Sequence, residues 1–145
     1  MNPINVLIVD DDKNSLHLSY SAMSQLVAPE NIHCAENAAQ TLDILKTHKI
    51  DLAFLDIDMP DTNGFSIAEY IRDNQPHVKY VFLTGYVDFA VRSFDYEPLD
   101  FLTKPIDLMR LKKTLDRFAA HNQPSTSDYS RERIAVDTSI GFVLL

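Results

Sequence analysis

Four apolar runs in this chain end in residues that could do chemistry together. The run VLIV at 6–9 leads into Asp10, Asp11 and Asp12, and LAFL at 52–55 leads into Asp56. YVFL at 80–83 leads into Thr84 and Gly85, and the run at 99–102 leads into Lys104 and Pro105. Carboxylates crowded at neighbouring strand ends repel one another unless a cation sits among them. Mg²⁺ suits such a place, because it takes oxygen ligands and uses one or two carboxylates together with phosphate oxygens. Asp11 and Asp56, with Asp10 nearby, would suffice to hold it. A carboxylate can also attack a phosphoryl group, giving an acyl phosphate, once cations neutralise the incoming charge. Asp56 is the best-placed nucleophile. Lys104 could meet a phosphoryl oxygen as a point charge, Thr84 could donate its hydroxyl, and Gly85 leaves the backbone open beside the incoming group. Alone, a strand-end aspartate would more often cap a helix, and a single lysine or threonine would be a surface or turn residue. It is their repetition at successive strand ends that argues for chemistry.

The elements that must position these residues can be read from periodicity. Strand-like runs occupy 5–9, 32–35, 51–55, 80–83 and 99–102. Three of them are apolar almost without interruption, the pattern of parallel strands covered by helices on both faces. Between them run helical stripes. Leu16, Tyr20, Met23 and Val27 form one, and Leu108, Leu111, Leu115 and Phe118 another. Weaker stripes lie at Ala38, Leu42 and Leu45, at Ile67, Ala68 and Ile71, and at Val87, Ala90, Val91 and Phe94. Asn37 and Asp107 stand where N-caps belong. Strict alternation of strand and helix with right-handed crossovers predicts an open, doubly wound α/β sheet, with the site beyond the carboxyl ends of its strands.

Composition narrows the function classes. The chain has 145 residues, 46% of them hydrophobic, enough for one compact core and a tail. Twenty-one acidic against 13 basic side chains leave a net charge of −8, which opposes a phosphate backbone, so this stretch by itself is not expected to bind nucleic acid. No apolar run is long enough to cross a bilayer, and no membrane partner is expected. The single cysteine, Cys34, allows no internal disulfide and suits a reducing compartment, so a cytoplasmic location is expected. The five histidines (17, 33, 48, 77 and 121) show no paired metal spacing and receive no role. Three glycines leave no phosphate-cradling loop, and Gly64 reads as a turn before the following helix.

The motifs VDDD (9–12), FLDIDMPDTNG (54–64), FLTG (82–85) and FLTKP (101–105) resemble those of the response-regulator receiver family of bacterial two-component signalling, over about residues 4–121. The resemblance implies a flavodoxin-like five-stranded parallel sheet of order 2-1-3-4-5 with helices on both faces. It implies that Asp10 and Asp11 form an acidic pocket, that Asp56 accepts a phosphoryl group from a sensor histidine kinase, and that Asp58 lends its backbone carbonyl to Mg²⁺. Thr84 and Lys104 would bind the phosphoryl group, Thr84 and Phe101 would form the switch, and the Lys104–Pro105 bond would be cis. Such a domain is not a turnover enzyme: it phosphorylates itself from a donor and loses the group slowly. A homodimer through the 87–94 stripe (the fourth helix), the fifth strand and the face of the last, fifth helix is implied as well. The longer stretch TGYVDFAVRSFDYEPLDFLTKP (84–105) is similar to receivers of the LytR/AlgR group, whose output is a LytTR-type DNA-binding domain that regulates transcription. Gly85 stands where alanine is more usual, and Asp12 where glutamate is common.

Two other functions fit parts of the pattern. Asp56-Ile57-Asp58 also resembles the nucleophile motif of haloacid-dehalogenase phosphatases, but the acidic cluster here precedes Asp56 rather than following the lysine, and 145 residues leave no room for a cap domain. An interaction module with an unused pocket would have no need of crowded carboxylates. For the domain organisation, a receiver domain is expected over 1–121 and a polar linker over 122–131. The residues 132–145 read as the truncated start of a β-rich output domain.

Overall fold

The computed structural model describes residues 3–57, 64–85 and 96–121. Its strands are β1 (Val6–Val9), β2 (Ile32–Ala35), β3 (Leu52–Asp56), β4 (Lys79–Thr84) and β5 (Asp100–Thr103). Four helices are described: α1 (Lys13–Met23), α2 (Ala38–Thr47), α3 (Gly64–Asn74) and α4 (Leu108–His121), with a 3₁₀ turn at Pro29–Asn31. All strand pairs are parallel, in the order β2-β1-β3-β4-β5, which is the order the family resemblance implied. The chain divides into two compact units, 1–115 and 116–145, and of the second only the end of α4 is described. Asp58, the 87–94 stripe, the 122–131 linker and the strand-like runs of 132–145 lie outside the described residues.

Burial follows the strand order. The central β1 and β3 are buried at every residue, which explains their unbroken apolar sequence. The edge strands β2 and β5 expose part of their residues. The ladders also extend further than the apolar runs suggest. Asp56 pairs with Leu83, and Thr84 pairs with Thr103, so both belong to the last rungs of the sheet. Backbone pairing ignores the polarity of the side chain it carries, and a boundary drawn at the last apolar residue therefore falls one position short.

The helices are set by local chemistry. Asp12 caps α1, its carboxylate accepting from the Asn14 amide at 3.0 Å. Asn37 caps α2 by accepting from Gln40 N–H at 2.8 Å, and Asp107 accepts from Arg110 N–H at 2.9 Å at the start of α4. On α2 the buried positions are Thr41 and Leu45; the Thr41 hydroxyl donates back to Asn37 O, which lets a polar side chain enter the core and weakens the apolar stripe. Gly64 is not a turn before α3 but its first residue. A Cβ there would lie 2.9 Å from Asp56 O and 2.9 Å from Ile57 Cγ2, so the helix start presses on the end of β3. One face of the sheet buries Leu7, Val9, Leu55 and Phe82 with Phe65, Ile67 and Ile71 of α3. Phe65 stacks on Tyr96 with ring centres 4.7 Å apart and meets Phe82 edge-on at 5.0 Å.

Candidate functional site

The carboxyl ends of β1, β3, β4 and β5 deliver Asp10, Asp56, Thr84 and Lys104 to one edge of the sheet. Asp10, Asp56 and Thr84 are buried, and the Lys104 side chain is 18% exposed. The Lys104 ammonium donates to Asp10 Oδ2 at 3.0 Å, to Ser15 Oγ at 3.0 Å and to Asp56 Oδ2 at 3.2 Å. It thereby uses three donors on three partners, two of them carboxylates. Its backbone is anchored too, since Lys104 N–H donates to Thr84 O at 2.8 Å. The Lys104–Pro105 peptide bond is cis.

Asp10 is the hub. Its Oδ1 accepts from the Asp12 amide at 3.0 Å, and its Oδ2 accepts from the Ser15 hydroxyl as well as from Lys104. Burial alone would push the Asp10 pKa up, but hydrogen bonds with Ser15, the Asp12 amide, Asp56 and Lys104 outweigh it and hold the carboxyl below its usual range. Burial likewise opposes the charge on Lys104, and the hydrogen bond with Asp10 and the Asp56 and Asp10 charges more than offset it, so its pKa is raised. The pocket therefore holds the Lys104 cation against the Asp10 carboxylate.

Carboxylate oxygens of Asp10, Asp11 and Asp56 all lie within 4.8 Å of one another. Two of these residues are buried and Asp11 is exposed, which opens the cluster to solvent on one side. An all-oxygen set of two or three carboxylates with an open side fits Mg²⁺, which keeps several waters. Among the described residues, a Cβ at Gly85 would meet no atom within 4 Å. Phe101 pairs with Phe82 in the ladder and, like Tyr96, packs partly buried against the core cluster that includes Phe65 and Phe82.

The expected residues thus divide. Asp10, Asp11, Asp56 and Lys104 come together, Thr84 joins them through the backbone of Lys104, and Phe101 sits on β5 three residues before that lysine. Asp12 is diverted to cap α1. Ser15 was missed by sequence reasoning: it stands in the first turn of α1, and only its five-residue distance from Asp10 could have suggested that it turns back to the strand end.

The family model of the response regulator receiver domain matches residues 6–116. The chain belongs to the response-regulator receiver family. The receiver is 35% identical over 124 residues to the sensory transduction protein LytT of Bacillus subtilis, covering 83% of this chain and 50% of that one. It is 27% identical over 139 residues to the transcriptional regulatory protein LytR of Staphylococcus aureus, covering 96% of this chain and 56% of the other. These relatives support the LytR/AlgR grouping, and the receiver spans about half of their length. Among solved structures, a CheY-like receiver domain protein of Methanospirillum hungatei has the same fold, with a TM-score of 0.68 at 24% identity, covering 83% of this chain and 99% of that one. Response regulator DrrB of Thermotoga maritima gives 0.70 at 22% identity, over 84% of this chain and 55% of DrrB. The comparisons favour neither the haloacid-dehalogenase reading nor the unused pocket.

Proposed function

We propose that Asp56 is the phosphoryl acceptor of this receiver and that a sensor histidine kinase is the donor. The observation that carries the proposal is the Lys104 ammonium held between Asp10 and Asp56, at 3.0 and 3.2 Å, beside a three-carboxylate cluster. A carboxylate oxygen of Asp56 attacks the phosphorus of a phosphohistidine; the P–N bond breaks, the acyl phosphate forms, and the released imidazole nitrogen takes a proton. Asp10, Asp11 and Asp56, with the Asp58 backbone carbonyl, would hold Mg²⁺, which when bound supplies positive charge to the phosphoryl oxygens. Lys104 supplies a second positive charge, and its raised pKa keeps it protonated throughout the physiological range. Thr84 donates its hydroxyl to a phosphoryl oxygen.

The new dianion rewards the arrangement in which Thr84 turns toward it, and Phe101 on the neighbouring strand moves into the space released. The face made by 87–94, β5 and α4 then changes and pairs with a second copy. We place this receiver in the cytoplasm and its output, a LytTR-type DNA-binding domain acting on transcription, beyond a receiver that ends near residue 121 and a linker at 122–131. The acidic receiver itself would bind no DNA. Incubation with acetyl phosphate and Mg²⁺, followed by mass spectrometry, should add one phosphoryl group to the parent and none to Asp56→Asn. Equal modification of the Asn variant would refute the assignment.

A further inference from the structure

His33 and His48 are fifteen positions apart in sequence, yet their ring centres lie 4.5 Å apart with planes inclined at 47°. His33 sits on the edge strand β2, opposite Leu7 of β1, and His48 closes α2 as its C-cap. His33 is half-buried and His48 exposed, so the pair opens on solvent.

The wiring of His48 decides which nitrogen is free. Thr47 Oγ lies 2.8 Å from Asp43 O and 3.0 Å from His48 Nδ1. Two oxygens at 2.8 Å need a proton between them, and only the threonine hydroxyl has one, so Thr47 donates to Asp43 O. Its oxygen then accepts from His48 Nδ1–H. The proton of the neutral ring is thereby fixed on Nδ1, and Nε2 keeps its lone pair, the arrangement by which proteins prepare a histidine for a metal. Burial first, and the closeness of His48 second, lower the pKa of His33.

The spacing fits an ion. A nitrogen bound at about 2.0–2.1 Å puts the ring centre about 3.2 Å from the metal, so two imidazoles in neighbouring positions of a square or octahedral site have centres about 4.5 Å apart. We propose that His33 and His48 form a second metal site, a two-imidazole chelate for a divalent transition cation such as Ni²⁺ or Cu²⁺, which ties the edge strand β2 to the end of α2. The two sites of this receiver would sort cations by ligand type: carboxylate oxygens for the hard Mg²⁺, imidazole nitrogens for the softer ion.

The test is a titration of the tag-free full chain with Ni²⁺ in excess Mg²⁺, which occupies the carboxylates, followed by calorimetry and by paramagnetic broadening of histidine ring signals. One ion should bind, broadening His33 and His48 together before His17, His77 or His121. His33→Gln and His48→Gln should each weaken binding by at least about tenfold, with the double variant no worse than either, because a chelate is lost with its first arm. Thr47→Val, which keeps both rings, should weaken it by a smaller factor through loss of the tautomer lock. Equal broadening of all five histidines, or unchanged affinity in either single variant, would show one-imidazole surface binding and overturn the proposal.

Discussion

Replacing Lys104 with methionine removes the cation shared by Asp10, Ser15 and Asp56 and leaves two buried carboxylates within 4.8 Å. At an effective dielectric of about 20, two unit charges 4.8 Å apart repel by about 3.5 kcal/mol. Water entering the space left by the side chain would roughly halve this, so Lys104→Met should lose about 2 kcal/mol at pH 8 in EDTA. The pH dependence follows from the signs. In the parent, the lowered Asp10 pKa gives stability that is present above the unfolded value near pH ~3.9 and lost as pH falls through the folded one. The raised Lys104 pKa gives stability present below its unfolded value near pH ~10.4 and lost as pH rises through the folded one. Between these limits the pair keeps the parent's stability flat. In the variant, repulsion favours protonation of the pair, so the deficit is largest at high pH and fades on acidification toward the carboxylate range. Mg²⁺ should abolish it by replacing the lost charge. Urea unfolding at pH 5 and pH 8, with EDTA and with Mg²⁺, reads all four corners. A variant within about 0.5 kcal/mol of the parent at pH 8 in EDTA, or one indifferent to Mg²⁺, would refute the electrostatic account.

Arg110 and Thr114 of α4 hold the buried Asp100 at 2.7 Å, the guanidinium by two bonds. Arg110→Met should cost about 2 kcal/mol, less than the ~3–5 of a fully buried pair because the arginine side chain is 40% exposed; a double-mutant cycle with Asp100→Asn that shows no coupling would contradict this. Gly64→Ala forces a Cβ against the Asp56 carbonyl and should destabilise by about 1–3 kcal/mol, read as a lower melting temperature and slower phosphorylation from acetyl phosphate. Thr84→Ala should still accept the phosphate mimic beryllofluoride while losing the NMR shift changes of Phe101 and α4; retention of those changes would remove Thr84 from the switch.

The fold was legible because its determinants are local. Uninterrupted runs such as VLIV and LAFL announce strands covered on both faces, and β1 and β3 are indeed the buried centre of the sheet. The acidic residues after β1 and at the end of β3 were legible for the same reason: in a parallel sheet every strand end points to one edge, so Asp10, Asp11 and Asp56 must meet wherever the alternation holds. What the sequence could not specify is which side chain completes which bond. Asp12 looks like its two neighbours but faces the first turn of α1 and caps it, whereas Ser15 looks like a surface helix residue and reaches back to Asp10. Asp100 reads as a polar start to an edge strand until α4 lays Arg110 and Thr114 across it. His33 and His48 have no motif spacing, because their meeting depends on where α2 ends relative to β2. A backbone pattern repeats every two or 3.6 residues and can be read along the chain; a contact between side chains on different elements depends on register and packing, which exist only in three dimensions.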